Sequence, residues 1–449
     1  MSMSRVGQWA LLVFGLGAVV IPSEARDLLP ASRNYPEQIP RFARDDKQVA
    51  LAYVTVIDGT GAPARPGRTL LLRGGRIAAE FASDSTEPPA GAEVLDLRGR
   101  WVIPGLIDTH VHLATDPSAG DRRDLVIQRL RNALHGGVTT VRDMAGDGRA
   151  LAELARAALV GDIESPAIYY AALAAGPEFF TDPRVLAVSR GVPPGEAPWA
   201  RAVTTKTDWR QVVAEARGTG ATAIKVYAAV SAPVLKPLVR EAHRQGLKVW
   251  AHATLFPARP SEVVAAGVDV VSHASLLVWE TAERIPGFNE RRRAQPPSVD
   301  DPRIQSLLHT MARRGTILDA TLFVMGDAPP EIRRWSSEVT RAAWAAGVQV
   351  SAGTDSIGVD APGTMPDIHE ELALLVEAGL SPLDAITAAT RNGARAIGIE
   401  AARGTIAAGL AADLVVLGAD PLADIHHTRD IVLVFRDGVR YAPLLSQSP

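Results

Sequence analysis

Between residues 104 and 395 the chain changes character about eight times, from a short apolar run to a longer stretch with helical spacing. Such alternation is the mark of parallel βα units, because parallel strands need a crossover between them and are buried on both faces. Candidate strands cover 102–112, 138–142, 167–171, 222–227, 248–252, 269–273, 316–320 and 349–353. Helical stretches at 124–135, 150–160, 208–217 and 304–314 lie between them. Eight units are enough to close a TIM-like (β/α)8 barrel, an α/β fold that typically takes ~250 residues and grows by insertion. Two longer insertions, about 176–205 and 278–301, follow strands, so both are expected over the C-terminal mouth, where substrate loops belong.

The ends of the chain have another texture. Residues 50–103 hold short β-rich pieces such as Ala52-Tyr53-Val54-Thr55-Val56-Ile57, and Thr69-Leu70-Leu71-Leu72 runs into the turn Arg73-Gly74-Gly75-Arg76. Residues 396–449 repeat the pattern with Asp413-Leu414-Val415-Val416-Leu417 and Ile431-Val432-Leu433-Val434-Phe435. The two ends are therefore expected to build one small β-sandwich beside the barrel.

At the N-terminus, Arg5, an apolar run over 6–21 and Ser23-Glu24-Ala25 read as a signal peptide cleaved after Ala25, which implies a periplasmic or secreted protein. The run is short for a membrane span, so no stable membrane insertion is expected. Residues 26–49 form a linker, and 21–47 read as a translated bacterial intergenic repeat rather than a segment shaped by the fold. A net charge of −3 and the lack of a Lys/Arg track argue against a nucleic-acid partner. With no cysteine in the chain, disulfides, thiolate zinc sites and cysteine nucleophiles are excluded, and any metal must sit on nitrogen and oxygen ligands.

Those ligand types occur at strand ends. In Asp108-Thr109-His110-Val111-His112 the histidines are two apart, so on a strand they project to one side and can grip one ion. Lys225 lies inside the apolar run Ala223-Ile224-Lys225-Val226-Tyr227, His252 ends Val249-Trp250-Ala251-His252, and His273 ends Val270-Val271-Ser272-His273. Asp355 follows Ser351-Ala352-Gly353-Thr354. Singly, each has a bland explanation: a snorkelling lysine, a polar strand end, a helix cap. Together they put metal-ligand side chains on strands one, four, five, six and eight, all at the same end. A buried ammonium without a partner is costly, so Lys225 in particular calls for a function, and addition of CO₂ would turn it into an anionic, two-oxygen carbamate.

The run Pro104-Gly105-Leu106-Ile107-Asp108-Thr109-His110-Val111-His112, with the later Lys, His, His and Gly-Thr-Asp, resembles the amidohydrolase superfamily, in particular its imidazolonepropionase-like and prolidase-like branch. His369-Glu370-Glu371-Leu372, Asn392-Gly393-Ala394-Arg395-Ala396 and Gly404-Thr405-Ile406 with Ala412-Asp413-Leu414 extend the similarity over about 50–441. Where that branch often reads His-Ala-His-Gly and Glu-His-Gly, this chain has His252-Ala253-Thr254-Leu255 and Ser272-His273-Ala274, so its substrate-facing surroundings differ.

The resemblance implies two divalent ions, zinc foremost. His110, His112 and Asp355 would hold one, His252 and His273 the other, and carbamylated Lys225 would bridge them. Water activated between the ions would attack a carbonyl, with Asp355 taking its proton and returning it to the leaving nitrogen. Tyr227, on the same side as Lys225, either donates to the carbonyl oxygen or packs. Asp108 and His369 are candidates for orienting ligands from behind, and Arg142 for meeting a substrate carboxylate or forming a structural ion pair. The implied partner is a small amide or peptide: a dipeptide, an Xaa-Pro dipeptide or an N-acyl amino acid. A homo-oligomer is compatible with this. Cyclic amides, lactones and phosphate esters suit the same site. A non-catalytic barrel subunit is a different class of reading, and the complete set of six ligand positions counts against it.

Overall fold

The computed structural model describes residues 47–115, 122–290 and 294–444. The expected signal peptide, and the linker up to residue 46, lie outside them. Eight parallel strands follow in chain order: Leu106–Val111, Val138–Asp143, Ala167–Ala175, Ala223–Val226, Lys248–His252, Val270–Ser272, Ile317–Asp319 and Val350–Ser351. Each pairs in parallel with the next. The ring closes where Thr109 N donates to Ala352 O (3.1 Å), Asp355 N to His110 O (2.8 Å) and His112 N to Ser356 O (2.8 Å). Helices cover the outside with their apolar faces inward. Ala232–Arg244, for example, buries Val234, Leu235, Leu238, Val239 and Ala242 against the same core as Val249 and Ala251. Asp147, Asp208 and Asp301 start the helices Gly148–Val160, Trp209–Gly218 and Pro302–Arg314 by accepting from first-turn backbone N–H groups.

The structure departs from the sequence reading at two strands. The run 102–112 is not one strand. Trp101–Pro104 pairs with Leu414–Leu417 in the terminal sheet, Gly105 breaks the run, and Leu106–Val111 enters the barrel. Gly105 has no room for a side chain, since a Cβ would lie 2.2 Å from Thr139 Oγ1. The third strand runs on past 171 to Ala175. Its alanine-rich second half has little β propensity of its own. It is held by pairing with Ala223–Val226 on one side and, on the other, with Ala200–Ala202 from the first insertion.

Strands from both ends share one sheet. Gln48–Val56, Arg65–Arg73, Arg76–Ala82, Glu93–Asp96 and Trp101–Pro104 join Leu414–Leu417, Ile431–Arg436 and Val439–Tyr441. The strand Arg76–Ala82 is tied back to the other end of the chain by Ile77 N to Leu410 O (2.9 Å) and Gly409 N to Ile77 O (2.8 Å). The sheet thus curls over a core of its own, which includes Leu51, Val54, Leu70, Val102, Leu414 and Phe435. Among the described residues no helix is long and apolar enough to cross a membrane.

Candidate metal centre

The ends of five barrel strands bring six side chains to one place. His110 and His112 come from the first strand, and their rings lie 5.4 Å apart. His273, one residue past the sixth strand, faces His110 at 5.1 Å and His252 of the fifth strand at 4.6 Å. Asp355 reaches in from beyond the eighth strand. Its Oδ1 lies 2.9 Å from His112 Nε2 and 3.3 Å from His110 Nε2, and its Oδ2 lies 3.9 Å from His273 Nδ1. Ligand atoms of His110, His273 and Asp355 fall within 4.8 Å of one another, so Asp355 joins histidines from both halves of the expected set. Lys225, fully buried in the fourth strand, donates from Nζ to Ser272 Oγ at 2.9 Å.

Holding these groups in place strains the backbone. Among the described residues, six of the eight non-glycine residues at positive φ stand just past barrel strands: Ala145, Ala229, Phe256, His273, Thr321 and Asp355. Such conformations cost about 1–3 kcal/mol each and persist where the surroundings over-determine them. Here the surroundings are a mesh of hydrogen bonds. Thr321 Oγ1 meets His273 Nδ1 at 2.9 Å, and Thr115 Oγ1 meets His112 Nδ1 at 3.0 Å. Asp108 accepts from His110 N (3.1 Å), Thr354 N (3.1 Å) and Thr354 Oγ1 (2.7 Å). Asp108 therefore orients the centre through the backbone on either side of the barrel seam, rather than through a histidine ring.

The ring of His110 is set by a residue that the sequence reading did not single out. Asp319, at the end of the seventh strand, lies 2.7 Å from His110 Nδ1 and 3.2 Å from Thr109 Oγ1, with no exposure to solvent. Gly353 makes room for this pair, since a Cβ there would lie 2.3 Å from Asp319 Oδ1 and 2.7 Å from His110 Cβ. An acid inside the apolar run Thr316-Ile317-Leu318-Asp319-Ala320 is the same kind of signal that marks Lys225. Glu371, within the His369-Glu370-Glu371-Leu372 motif, accepts from Leu322 N (3.2 Å) and Phe323 N (2.7 Å) and fixes the loop after the seventh strand. Asn392 donates to Val350 O at 2.9 Å from a π-helical turn, Ala388–Asn392, which backs the eighth strand.

Two expected site residues sit elsewhere. Arg142 turns away from the mouth: its Nη2 donates to Thr222 Oγ1 (3.0 Å), just before the fourth strand, and to Ile397 O (3.2 Å). Its guanidinium lies over the Trp250 ring at 5.2 Å, and burial pulls its pKa down to about 9. Neither a substrate contact nor the structural ion pair considered from sequence describes it. His369 is also structural. Its Nδ1 is bonded to Thr428 Oγ1 and its Nε2 to Gly136 O, both at 2.9 Å, which joins the helix Ile368–Glu377 to its neighbours. Tyr227 is at the mouth, its ring 4.1 Å from that of His252.

The donors suit a cation. Burial holds His252 well below its usual pKa and His273 down to about 3, so both present the neutral imidazole that binds metal. Burial also brings Lys225 down to about 8. Burial disfavours the charged form of Asp355, but His110 and His112 outweigh it and keep the carboxylate well below its usual range. At His110 burial opposes charge, yet Asp355 and Asp319 overcome it and raise its pKa to about 9, a local demand for positive charge. The buried Nε2 of His252 has no hydrogen-bond partner among the described residues, and that of His110 meets only Asp355 Oδ1, at 3.3 Å. Buried polar atoms are normally satisfied, so both fit the role of ligands to an ion.

Comparison with known proteins bears on the family and the fold. The model of the amidohydrolase family matches residues 101–440. The imidazolonepropionase of Chromobacterium violaceum is 28% identical over 447 residues, covering 91% of this chain and 97% of the relative. The ochratoxinase of Aspergillus niger is 26% identical over 428 residues, covering 85% and 83%. Its crystal structure superposes with a TM-score of 0.70 at 22% identity, over 90% of this chain and 98% of that one. A Xaa-Pro dipeptidase with bound methionine superposes with a TM-score of 0.68 at 21% identity, over 88% of this chain and 100% of that one. At those identities the two superpositions speak for the fold.

Proposed function

The chain belongs to the amidohydrolase family and is a carbon–nitrogen hydrolase, and from that premise we propose that it cleaves the amide bond of a dipeptide, an Xaa-Pro dipeptide or an N-acyl amino acid. Two divalent ions would sit on His110, His112, Lys225, His252, His273 and Asp355. The observation that carries this reading is the convergence of His110, His273 and Asp355 within 4.8 Å beside the unpartnered Nε2 of His252. Bound there, divalent ions such as zinc supply Lewis acidity and make water nucleophilic near neutral pH.

The chain's own groups do the rest. Asp355, kept ionised by the histidines around it, accepts the proton of the attacking water and passes it to the leaving nitrogen. Tyr227 stands at the edge of the cluster beside His252, placed to donate to the carbonyl oxygen. Lys225 takes up CO₂: its neutral nitrogen bonds the carbon, one proton leaves, and the resulting carbamate would offer the ions an anionic oxygen donor. Ser272 Oγ, already 2.9 Å from Nζ, steadies it. The first 25 residues direct export, so the substrate is met outside the cytoplasm.

The test is metal content by mass spectrometry together with turnover of a panel of dipeptides and N-acyl amino acids. Two equivalents of metal, with activity lost to chelator and restored by zinc and bicarbonate, support the reading. Less than one equivalent after that treatment, with no amide cleaved, overturns it.

A further inference from the structure

The insertions past the third and sixth strands meet beside the metal centre through aromatic rings. Phe179, on the short turn Pro177–Thr181 of the first insertion, has its ring centroid 4.6 Å from Tyr227 and 5.5 Å from Phe288 of the second. Tyr227 is itself 4.1 Å from His252. Phe179 is buried, whereas Tyr227 and Phe288 are half-buried. An aromatic wall therefore begins in the interior of the insertions and ends at His252, and both of its outer rings keep surface open to solvent.

The wall lies across the cluster from the proton carrier. Asp355 leans on His110 and His112 of the first strand, while the wall leans on His252 of the fifth. An amide whose leaving nitrogen is to take a proton from Asp355 must place that nitrogen on the first-strand side. Its carbonyl then lies over the centre, and its acyl substituent extends toward His252. Rings in this position accept another ring by offset or edge-on stacking, which adds to the burial of apolar area.

Resting on the amide-hydrolase reading above, we propose that Phe179, Tyr227 and Phe288 form the acyl subsite, and that the acyl group is an aromatic ring. Phe288 is the residue to change, because it is half-buried on a short surface turn and packs against the edge of the core rather than within it. The experiment compares an N-phenylacetyl with an N-acetyl derivative of the same amine, and in parallel measures calorimetric binding of phenylacetate against acetate. The zinc-loaded wild type is expected to favour the ring in both series. Phe288→Ala lowers each ring-to-acetyl ratio by about tenfold, the scale of one lost stacking partner, and Phe288→Tyr keeps it. A wild type that prefers acetyl or a charged acyl group, or a Phe288→Ala ratio equal to wild type, overturns the subsite. If neither amide is cleaved but phenylacetate still binds through Phe288, the subsite stands and the reading of the reaction falls.

Discussion

Asp319 Oδ2 lies 2.7 Å from His110 Nδ1, and neither side chain is exposed. His110 Nδ1–H donates to this carboxylate, which turns Nε2 toward Asp355, 3.3 Å away. A carboxylate behind a ligating histidine fixes both its tautomer and its ring, and losing such a partner typically costs about 10–100-fold in metal affinity or activity. Asp319→Asn keeps the shape but offers the ring an amide that can donate as well as accept. Its zinc affinity, measured by competition with a chelating dye, is expected to fall within that range, and kcat/KM with it. Unchanged affinity would mean that Gly353 and Thr109 hold the ring without the charge.

Asp355→Asn separates proton transfer from folding. The amide fills the same space but cannot carry a proton between water and the leaving nitrogen, a role worth about 10²–10⁴-fold. Turnover should drop at least that far, while the melting temperature stays close to wild type. His110→Ala removes a proposed ligand, so turnover and part of the metal content should go together. A near-normal rate in either variant with its metal intact would remove that residue from the centre.

The convergence of these side chains is legible in the sequence because strand geometry is regular. Alternate residues of a strand share a side, so His110 and His112 had to point together, and a lysine inside the run Ala223-Ile224-Lys225-Val226-Tyr227 had to be buried. Asp319 carries the same signature as Lys225, but one acid near a strand end also reads as a helix cap, so the pattern alone does not single it out. Arg142 shows the opposite limit. Its position on the second strand was clear, but a long side chain can run toward either end of a barrel, and only packing against Trp250 and Thr222 settles which. For His369, a helical histidine near the last strand says nothing in sequence about which neighbours take up its two nitrogens, and here Thr428 and Gly136 do. The break at Gly105 depends on Thr139, a contact that no local pattern encodes.

Glu371 should matter for stability before it matters for chemistry. Burial raises its pKa to about 8, and it is the acceptor for two backbone N–H groups in the loop after the seventh strand. Glu371→Ala leaves both donors without a partner, at roughly 1–3 kcal/mol each. Glu371→Gln keeps one oxygen for them and should cost clearly less. Thermal unfolding of the two variants at pH 7 checks this. Equal losses would show that packing of the side chain, rather than its acceptor oxygen, is what the loop needs.

His369 makes part of the stability depend on pH. Burial holds its folded pKa at about 4, below the ordinary value of 6.5, and in the folded state both nitrogens are bonded to Thr428 and Gly136. Between those two pH values the unfolded chain binds the extra proton and the folded chain does not. The contribution is therefore fully present above about pH 6.5 and is lost as the pH falls toward 4, by about 3 kcal/mol in all. His369→Gln is less stable than wild type at pH 7.5, because it cannot satisfy both partners, but it has no such proton to take up. The stability gap between the two proteins should thus narrow by roughly 2 kcal/mol between pH 7.5 and pH 5, read from chemical unfolding at each pH. His252 and His273 titrate in both proteins alike and cancel from the comparison. A gap that stays constant over this range would show that His369 is free to protonate in the folded protein, and that burial does not hold it neutral.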